Sequence, residues 1–162
     1  MLLSNTTLSL ITNFNYENVI KIVTNTLSSF TYVYSFLIDN NNKHIKKYLD
    51  DIDTMDVKVK LEFMYNWLSD NNDVKETYES DIILITRIKE KKSSNFNLLF
   101  FKIREIAEII NNNIIMIEKK IKNHVNTWNS YIFSIDLKNE ITMLKKHVKI
   151  LDSRIQLIKV VL

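Results

Sequence analysis

The sequence contains no glycine, no proline and no cysteine among its 162 residues. Tight two-residue hairpins need glycine or a similar residue at positive φ, so an all-β fold or a doubly wound fold is disfavoured. Phosphate loops, dinucleotide fingerprints and the Gly-x-Ser-x-Gly elbow are excluded, because each needs glycine where the backbone approaches a ligand or turns sharply. Without cysteine the chain has no disulfide, no thiolate metal ligand and no cysteine nucleophile. Because glycine is absent, asparagine or aspartate must take any left-handed backbone position.

Alanine and arginine are scarce, whereas isoleucine, asparagine and lysine abound. These preferences follow AT-rich codons, and we infer an AT-rich genome. The net charge of +3 and the shortage of arginine, the preferred reader of base edges, give only a weak footprint for nucleic acid. We interpret the lysine clusters as solvated helix faces; they lie at 43–47, 89–92, 119–122 and 145–146.

No segment approaches 18 uninterrupted apolar residues, so a transmembrane span is not expected. The first 12 residues lack the basic flank of a secretory signal. Together with the absence of cysteine, these features favour an intracellular, cytoplasmic location. We expect residues 1–14 to be irregular or flexible.

The most regular pattern lies near the C-terminus, where apolar residues recur at alternating spacings of four and three. This is the spacing of a heptad seam. It predicts one continuous helix whose apolar seam is covered by other helices. We designate these residues the interaction seam: Leu137, Ile141, Leu144, Val148, Leu151, Ile155, Ile158 and Leu162.

A second apolar stripe accompanies the seam at the c positions of the heptad, formed by Met143, Ile150 and Leu157. A two-stranded coiled coil leaves c positions in water, whereas a helix in a globular bundle buries a wider face. The pattern therefore favours packing inside a bundle. Self-association and the reception of a partner helix both stay open.

Apolar residues at spacings of three and four predict further helices over 16–37, 57–68, 74–88 and 99–128, with a short one over 43–50. We expect a left-handed asparagine of Asn40–Asn42 to end the first helix, and Asp50–Thr54 to form a turn and an N-cap. The basic run Lys89–Lys92 should end the 74–88 helix, with Ser93, Ser94 or Asn95 capping the next. The triplet Asn111–Asn113 leaves the continuity of that longest helix open.

These elements predict an all-α fold: a single domain over 1–162, built as a bundle of five to six helices. Residues Asn129–Ser134 should reverse the chain, which makes the last two helices a long antiparallel hairpin. We see no repeat and no linker that would separate a second domain.

Chemical sites are poorly supported by the sequence. His44, His124 and His147 are too scattered for a metal motif, and we interpret them as solvated or capping residues. The acidic cluster Asp50–Asp56 lacks the glycine and the final glutamate of a calcium loop, so a capping and turn role is favoured. We therefore expect no catalytic residue, no cofactor and no metal site.

The leading hypothesis is a non-enzymatic helical module for protein–protein interaction or assembly. It would act through the interaction seam, and association into a homo-oligomer is left open. The alternative is a helical groove that binds amphipathic peptide helices, as in host-modulating proteins of viruses or parasites. A further alternative is weak nucleic-acid binding through the lysine-rich faces, which salt would abolish.

Overall fold

The computed structural model describes residues 16–72, 79–127 and 134–161, with side chains over 17–70, 98–127 and 134–160. All regular structure in these ranges is helical, which confirms the predicted all-α class. Residues 1–15, 73–78, 128–133 and 162 lie outside the described residues, and with them the start of the helix predicted over 74–88 and most of the chain reversal predicted at Asn129–Ser134. The helices are α1 Tyr16–Asp39, α2 Lys43–Met55, α3 Val57–Asn72, α4 Glu79–Val125 and α5 Lys138–Val161.

Buried side chains from every one of these helices join one hydrophobic core. Helix α4 supplies the longest stripe, in which successive members are three or four residues apart and at most 1% exposed, as the period of an amphipathic helix requires. The apolar residues of α3 that recur at helical spacing are buried as well, whereas Val125, which continues the apolar period at the end of α4, is exposed. The buried α3 residues are Val57, Leu61, Met64 and Leu68. The fully covered α4 residues are Ile103, Ile106, Ile110, Ile114, Ile117 and Ile121.

Helix α4 is continuous over 47 residues, about 70 Å at 1.5 Å per residue. The predicted boundary at residues 89–95 is therefore wrong, and the triplet Asn111–Asn113 does not interrupt the helix. Serine and asparagine favour caps because their side chains compete for backbone hydrogen bonds, but they do not forbid helical φ and ψ as proline does.

The acidic segment Asp50–Thr54 lies within α2, so the predicted turn is misplaced by a few residues. The chain turns instead at Asp56, whose φ of 50° and ψ of 41° are left-handed. Among the described residues it is the one with positive φ. In a chain without glycine, aspartate takes this position because its short side chain tolerates it better than most.

Between α1 and α2, Asn40 donates hydrogen bonds to the carbonyl of Phe36 through its backbone and its side chain. Asn42 is the N-cap of α2: it has extended φ (−120°) and accepts from the backbone N–H groups of His44 and Ile45. The prediction of a left-handed asparagine here is therefore wrong. The side-chain oxygen of Asn42 satisfies two helix-terminal donors instead.

Helix α1 lies against α3 and α4, and α5 lies against α4, α2 and α3. The segment before α5 is anchored on α2, where the Tyr48 hydroxyl accepts from the backbone N–H of Leu137 at 3.2 Å. Ile135, in the same segment, is buried although no periodic pattern predicted it. This anchor sets the position at which α5 begins to run along α4.

Four polar contacts join α4 to α5, and residue numbers rise along one helix as they fall along the other. Near one end Arg154 donates to the carbonyl of Lys102 and pairs with Glu105 at 3.3 Å. The remaining contacts follow along the helices: Asn113 with His147 at 2.6 Å, and Lys120 with Glu140 at 2.8 Å. These contacts fix the register in which the side chains of the two helices meet.

Candidate interaction surface

The interaction seam lies inside the chain rather than on its surface. All of its members except Leu162, which is outside the described residues, are at most 4% exposed. Their partners are the other helices of the same chain, chiefly α4. The heptad pattern thus corresponds to the core-facing side of α5, so the seam offers no open surface in this conformation.

Several of the charged residues beside the seam are also paired within the chain. Glu140 pairs with Lys120 of α4, and Asp152 pairs with Lys60 of α3 at 3.6 Å. Lys159 lies over the ring of Phe63, 5.3 Å from its centroid. The side chains that would select a second helix in a coiled coil are therefore used to hold α5 against α3 and α4.

The c-position stripe of α5 remains partly open to solvent beside α4. Met143 is 47% exposed and Leu157 is 46% exposed, while Ile150 is half-buried. Across the groove on α4, Met116 is 59% exposed and Ile109 is half-buried. We call these five residues the outer strip.

The register of the two helices places the outer strip in matching pairs. Met116 and Met143 line one cleft of about 120 Å³. Ile109 and Ile150 lie between the Asn113–His147 and Glu105–Arg154 contacts, and thus opposite one another. The strip consequently runs along the groove between α4 and α5 over at least two helical turns.

The cleft between the methionines also includes polar residues, although most of its exposed lining is apolar. Besides the methionines it is lined by Asn113, Asn139 and Glu140. One carboxylate oxygen of Glu140 accepts from Lys120, whereas the other, Oε2, is buried and has no hydrogen-bond partner. Removing a carboxylate from water costs free energy, and the ion pair with the ammonium of Lys120 offsets part of that cost for Glu140.

Next to the cleft, the side-chain amide of Asn113 contacts Nδ1 of His147 at 2.6 Å. An amide nitrogen only donates, so this hydrogen bond needs a neutral imidazole with its proton on Nε2. Burial lowers the pKa of His147, and the charge of Lys146 lowers that pKa further. The interpretation of His147 as a solvated or capping residue is therefore wrong, because its ring joins α5 to α4.

On the opposite side of α4, Asn111 makes the matching link to α1. Its side-chain oxygen Oδ1 lies 2.9 Å from Oγ1 of Thr26, which is fully buried and lies 2.6 Å from the carbonyl oxygen of Ile22, so the single hydroxyl proton is shared between two acceptors. Asn111 and Asn113 thus contact the helices on either side of α4. From the sequence, this asparagine triplet was considered only as a possible interruption of the helix, and the two partly buried polar links were missed.

A second cavity, of about 370 Å³, lies between α1 and the turn that joins α2 to α3. Its floor includes the buried residues Phe30 and Ile52. At its side, the hydroxyl of Tyr34 donates to Asp53 at 2.7 Å, and this hydrogen bond to a carboxylate raises the pKa of Tyr34. Two of the polar residues that line this cavity, Tyr34 and Asp53, thus form a contact that holds α1 to α2.

The described side chains include no group of three or more His, Asp or Glu residues placed to hold a metal ion. The acidic cluster is divided: Asp53 contacts Tyr34 and Asp56 forms the turn. The lysine cluster at 119–122 is divided as well, since Lys120 reaches α5 while Lys122 lies over the ring of Tyr32 on α1. Among the described side chains, the outer strip places partly exposed apolar residues of α4 and α5 along one groove.

In the described part of the chain, no helix is both long enough and apolar enough to cross a membrane. Comparison with protein-family models, with curated proteins and with solved structures finds no match for the chain.

Proposed function

We propose that the chain is a non-enzymatic helical module for protein–protein interaction, and that it binds through the outer strip between α4 and α5. The proposal depends on one observation: two methionines, two isoleucines and a leucine line up along one groove and stay partly exposed. Exposed apolar residues scattered singly need no explanation, but a contiguous apolar strip marks an interaction surface. Methionine suits such a surface because its flexible thioether side chain adapts to varied partners.

The architecture we propose is a bundle of five to six helices whose last two helices form an antiparallel hairpin. It is supported by the opposite order of the contacts along α4 and α5, from Arg154 with Lys102 at one end to Glu140 with Lys120 at the other. In such a hairpin one side of the paired helices packs on the core, and the other side carries the groove that we assign to the partner.

Binding through the seam itself would require α5 to leave the bundle. The seam contributes seven buried apolar side chains, each worth roughly 1.5–3 kcal/mol, so exposing them costs on the order of 10–20 kcal/mol. That figure is an upper bound, yet it equals or exceeds the 5–15 kcal/mol that typically stabilises a whole domain. The outer strip needs no such opening, and we therefore prefer it to the seam.

Site-specific photo-crosslinking tests the proposal. A photoreactive amino acid replaces Met143 in the full chain, produced in its native source, and in a matched control it replaces Lys149, which is exposed on another side of α5. We expect a crosslinked polypeptide with the probe at 143 and none with the probe at 149. The adduct is a partner protein or, in the assembly variant of the proposal, a second copy.

Equal crosslinking from both positions, or none from position 143 in chains that circular dichroism shows to be folded, would contradict the proposal. Sedimentation of the purified chain over a range of concentrations then identifies self-association, because only the assembly variant predicts a rise in mass.

A further inference from the structure

Given the proposed function, we infer that the partner of the outer strip is an acidic amphipathic helix, one that places apolar residues on the strip and carboxylates along its edges. The inference concerns the chemistry of the partner, which the apolar character of the strip alone does not specify. It is argued from the charges that border the groove and from the spacing of the apolar pairs along it.

The charges that border the groove are predominantly positive. Five cationic side chains and two carboxylates lie on the sides of α4 and α5 that face each other or flank the strip, a surplus of three positive charges. Both carboxylates are already paired, Glu105 with Arg154 and Glu140 with Lys120. The cationic residues are Lys102, Lys119, Lys120, Lys146 and Arg154.

The surplus comes from Lys102, Lys119 and Lys146, none of which has an ion pair among the described residues. Helical spacing places them beside the strip: Lys119 is three residues after Met116, and Lys146 is three residues after Met143. Lys119 and Lys146 are exposed, so a partner's carboxylates could approach both without moving a side chain of the core. A row of cations along an apolar groove favours a partner whose charge is negative.

The same surplus disfavours a second copy of the chain as the occupant. Two outer strips brought together would place the lysines of one copy against the lysines of the other within a few ångströms. At physiological salt the screening length is about 8 Å, so this repulsion would not be screened away. Like charges that face each other across an interface disfavour the pairing of two outer strips, whereas opposite charges favour a complementary partner.

The spacing of the apolar pairs favours a helix as the form of the partner. The pair Met116 and Met143 is seven residues from the pair Ile109 and Ile150 on both helices, about 10 Å along the groove. A further seven residues along α5 is Leu157, which is also partly exposed. A partner helix that repeats an apolar residue every two turns matches these three levels, which is the usual mode of a helix in a groove.

Two synthetic peptides test the inference against the full chain. Each has about 20 residues, with leucines repeating at spacings of three and four; one carries glutamates beside the leucines and the other carries lysines. Fluorescence anisotropy measures the binding of each labelled peptide. We expect saturable binding of the acidic peptide, at least about tenfold tighter than the basic one at low salt, and weaker as salt rises.

Variants of the chain assign the binding to the groove. The double variant Lys119→Glu/Lys146→Glu should weaken the acidic peptide about tenfold and strengthen the basic one. Met143→Asp should remove most of the binding of both. Val59→Asp is the control, since Val59 is 63% exposed on α3 and lies beside the cavity at the turn between α2 and α3, outside the groove; it should leave both affinities unchanged.

Equal binding of the two peptides, or tighter binding of the basic one, would overturn the inference. The inference would also be overturned if the chain formed a dimer that Met143→Asp breaks. A third contrary result would be binding to vesicles of anionic lipid that Lys119→Glu/Lys146→Glu abolishes, together with no binding of the acidic peptide. In these cases a crosslink from position 143 to a polypeptide would leave the proposed function standing. Without such a crosslink, both proposals fail.

Discussion

Replacing Leu151 with alanine removes a side chain that has no solvent exposure, on the side of α5 that faces the core. Replacing Leu157 with alanine removes the same atoms from a side chain that is 46% exposed on the outer strip of the same helix. Neither change alters the charge or introduces a poor helix former. The pair therefore compares burial alone at two positions of one helix.

The expected losses of stability differ severalfold. Leucine-to-alanine changes at buried positions cost about 3–5 kcal/mol, because the lost transfer free energy is joined by the cost of the cavity. At Leu157 about half of the transfer free energy is lost and no closed cavity forms, so roughly 1 kcal/mol is expected. For a domain of this size the melting temperature should fall by roughly 6–20 °C for Leu151→Ala and by about 2–4 °C for Leu157→Ala.

Urea unfolding followed by circular dichroism measures both free energies, and sedimentation of each variant shows whether the mass changes. The reasoning is refuted if Leu151→Ala costs no more than Leu157→Ala. It is also refuted if Leu151→Ala dissociates an oligomer while the free energy of unfolding of the monomer stays the same, because the seam would then bind another chain rather than form the core.

Three further results are expected from single sites. Lys120→Met should lower the free energy of unfolding by about 1–2 kcal/mol, since it leaves the buried carboxylate of Glu140 without its cation, and adding Glu140→Met should restore most of it in urea unfolding. The lowered pKa of His147 means that the unfolded chain takes up a proton as the pH falls through about 6.5 while the folded chain resists it. Stability is then fully present above that pH and lost below it, and this part of the pH dependence should vanish in His147→Gln when unfolding is measured at several pH values. Asp56→Gly should leave the melting temperature unchanged or raise it, whereas Asp56→Val should cost about 1–2 kcal/mol, because a β-branched residue disfavours the left-handed backbone there.

The sequence predicted the buried face of each long helix well, because burial follows a period that needs no knowledge of neighbours. The spacing from Leu137 to Ile158 identified the core-facing side of α5, and the spacing from Leu99 to Ile121 did the same for α4. Apolar side chains at intervals of three and four must be covered by something wherever the helix lies. For this reason the all-helical class could be predicted without any related protein.

Helix boundaries were predicted less well, because the residues that can cap a helix occur throughout this chain. Asp50–Thr54 and Ser93–Asn95 resemble starts of helices, yet both segments lie inside one. The left-handed turn falls on Asp56, and several other asparagines and aspartates would have served equally by composition. Which of them is used depends on where the packed faces must change direction, and that is a property of the tertiary structure.

The interaction surface could be predicted only in part. The c-position stripe of α5 was recognised, but Met116 and Ile109 of α4 were not assigned to the same surface. Whether a side chain beside the core stripe is covered depends on the register between two helices. Polar contacts such as Asn113 with His147 set that register, and they join residues 34 positions apart. Local periodicity contains no information about such a pair.

The polar links between α4 and α5 bear on binding as well as on stability. They lie along the boundary between the core seam and the outer strip, so the strip is held in one register before any partner arrives. A groove whose walls are already fixed loses less conformational entropy on binding than one that must assemble. A helix needed only for the core would place polar residues at its c positions, since exposed methionine and leucine promote nonspecific association. The combination of a fixed groove with apolar c positions is what separates α5 from an ordinary bundle helix, and it is why the outer strip, rather than the longer and more regular seam, is the surface to which we assign the partner.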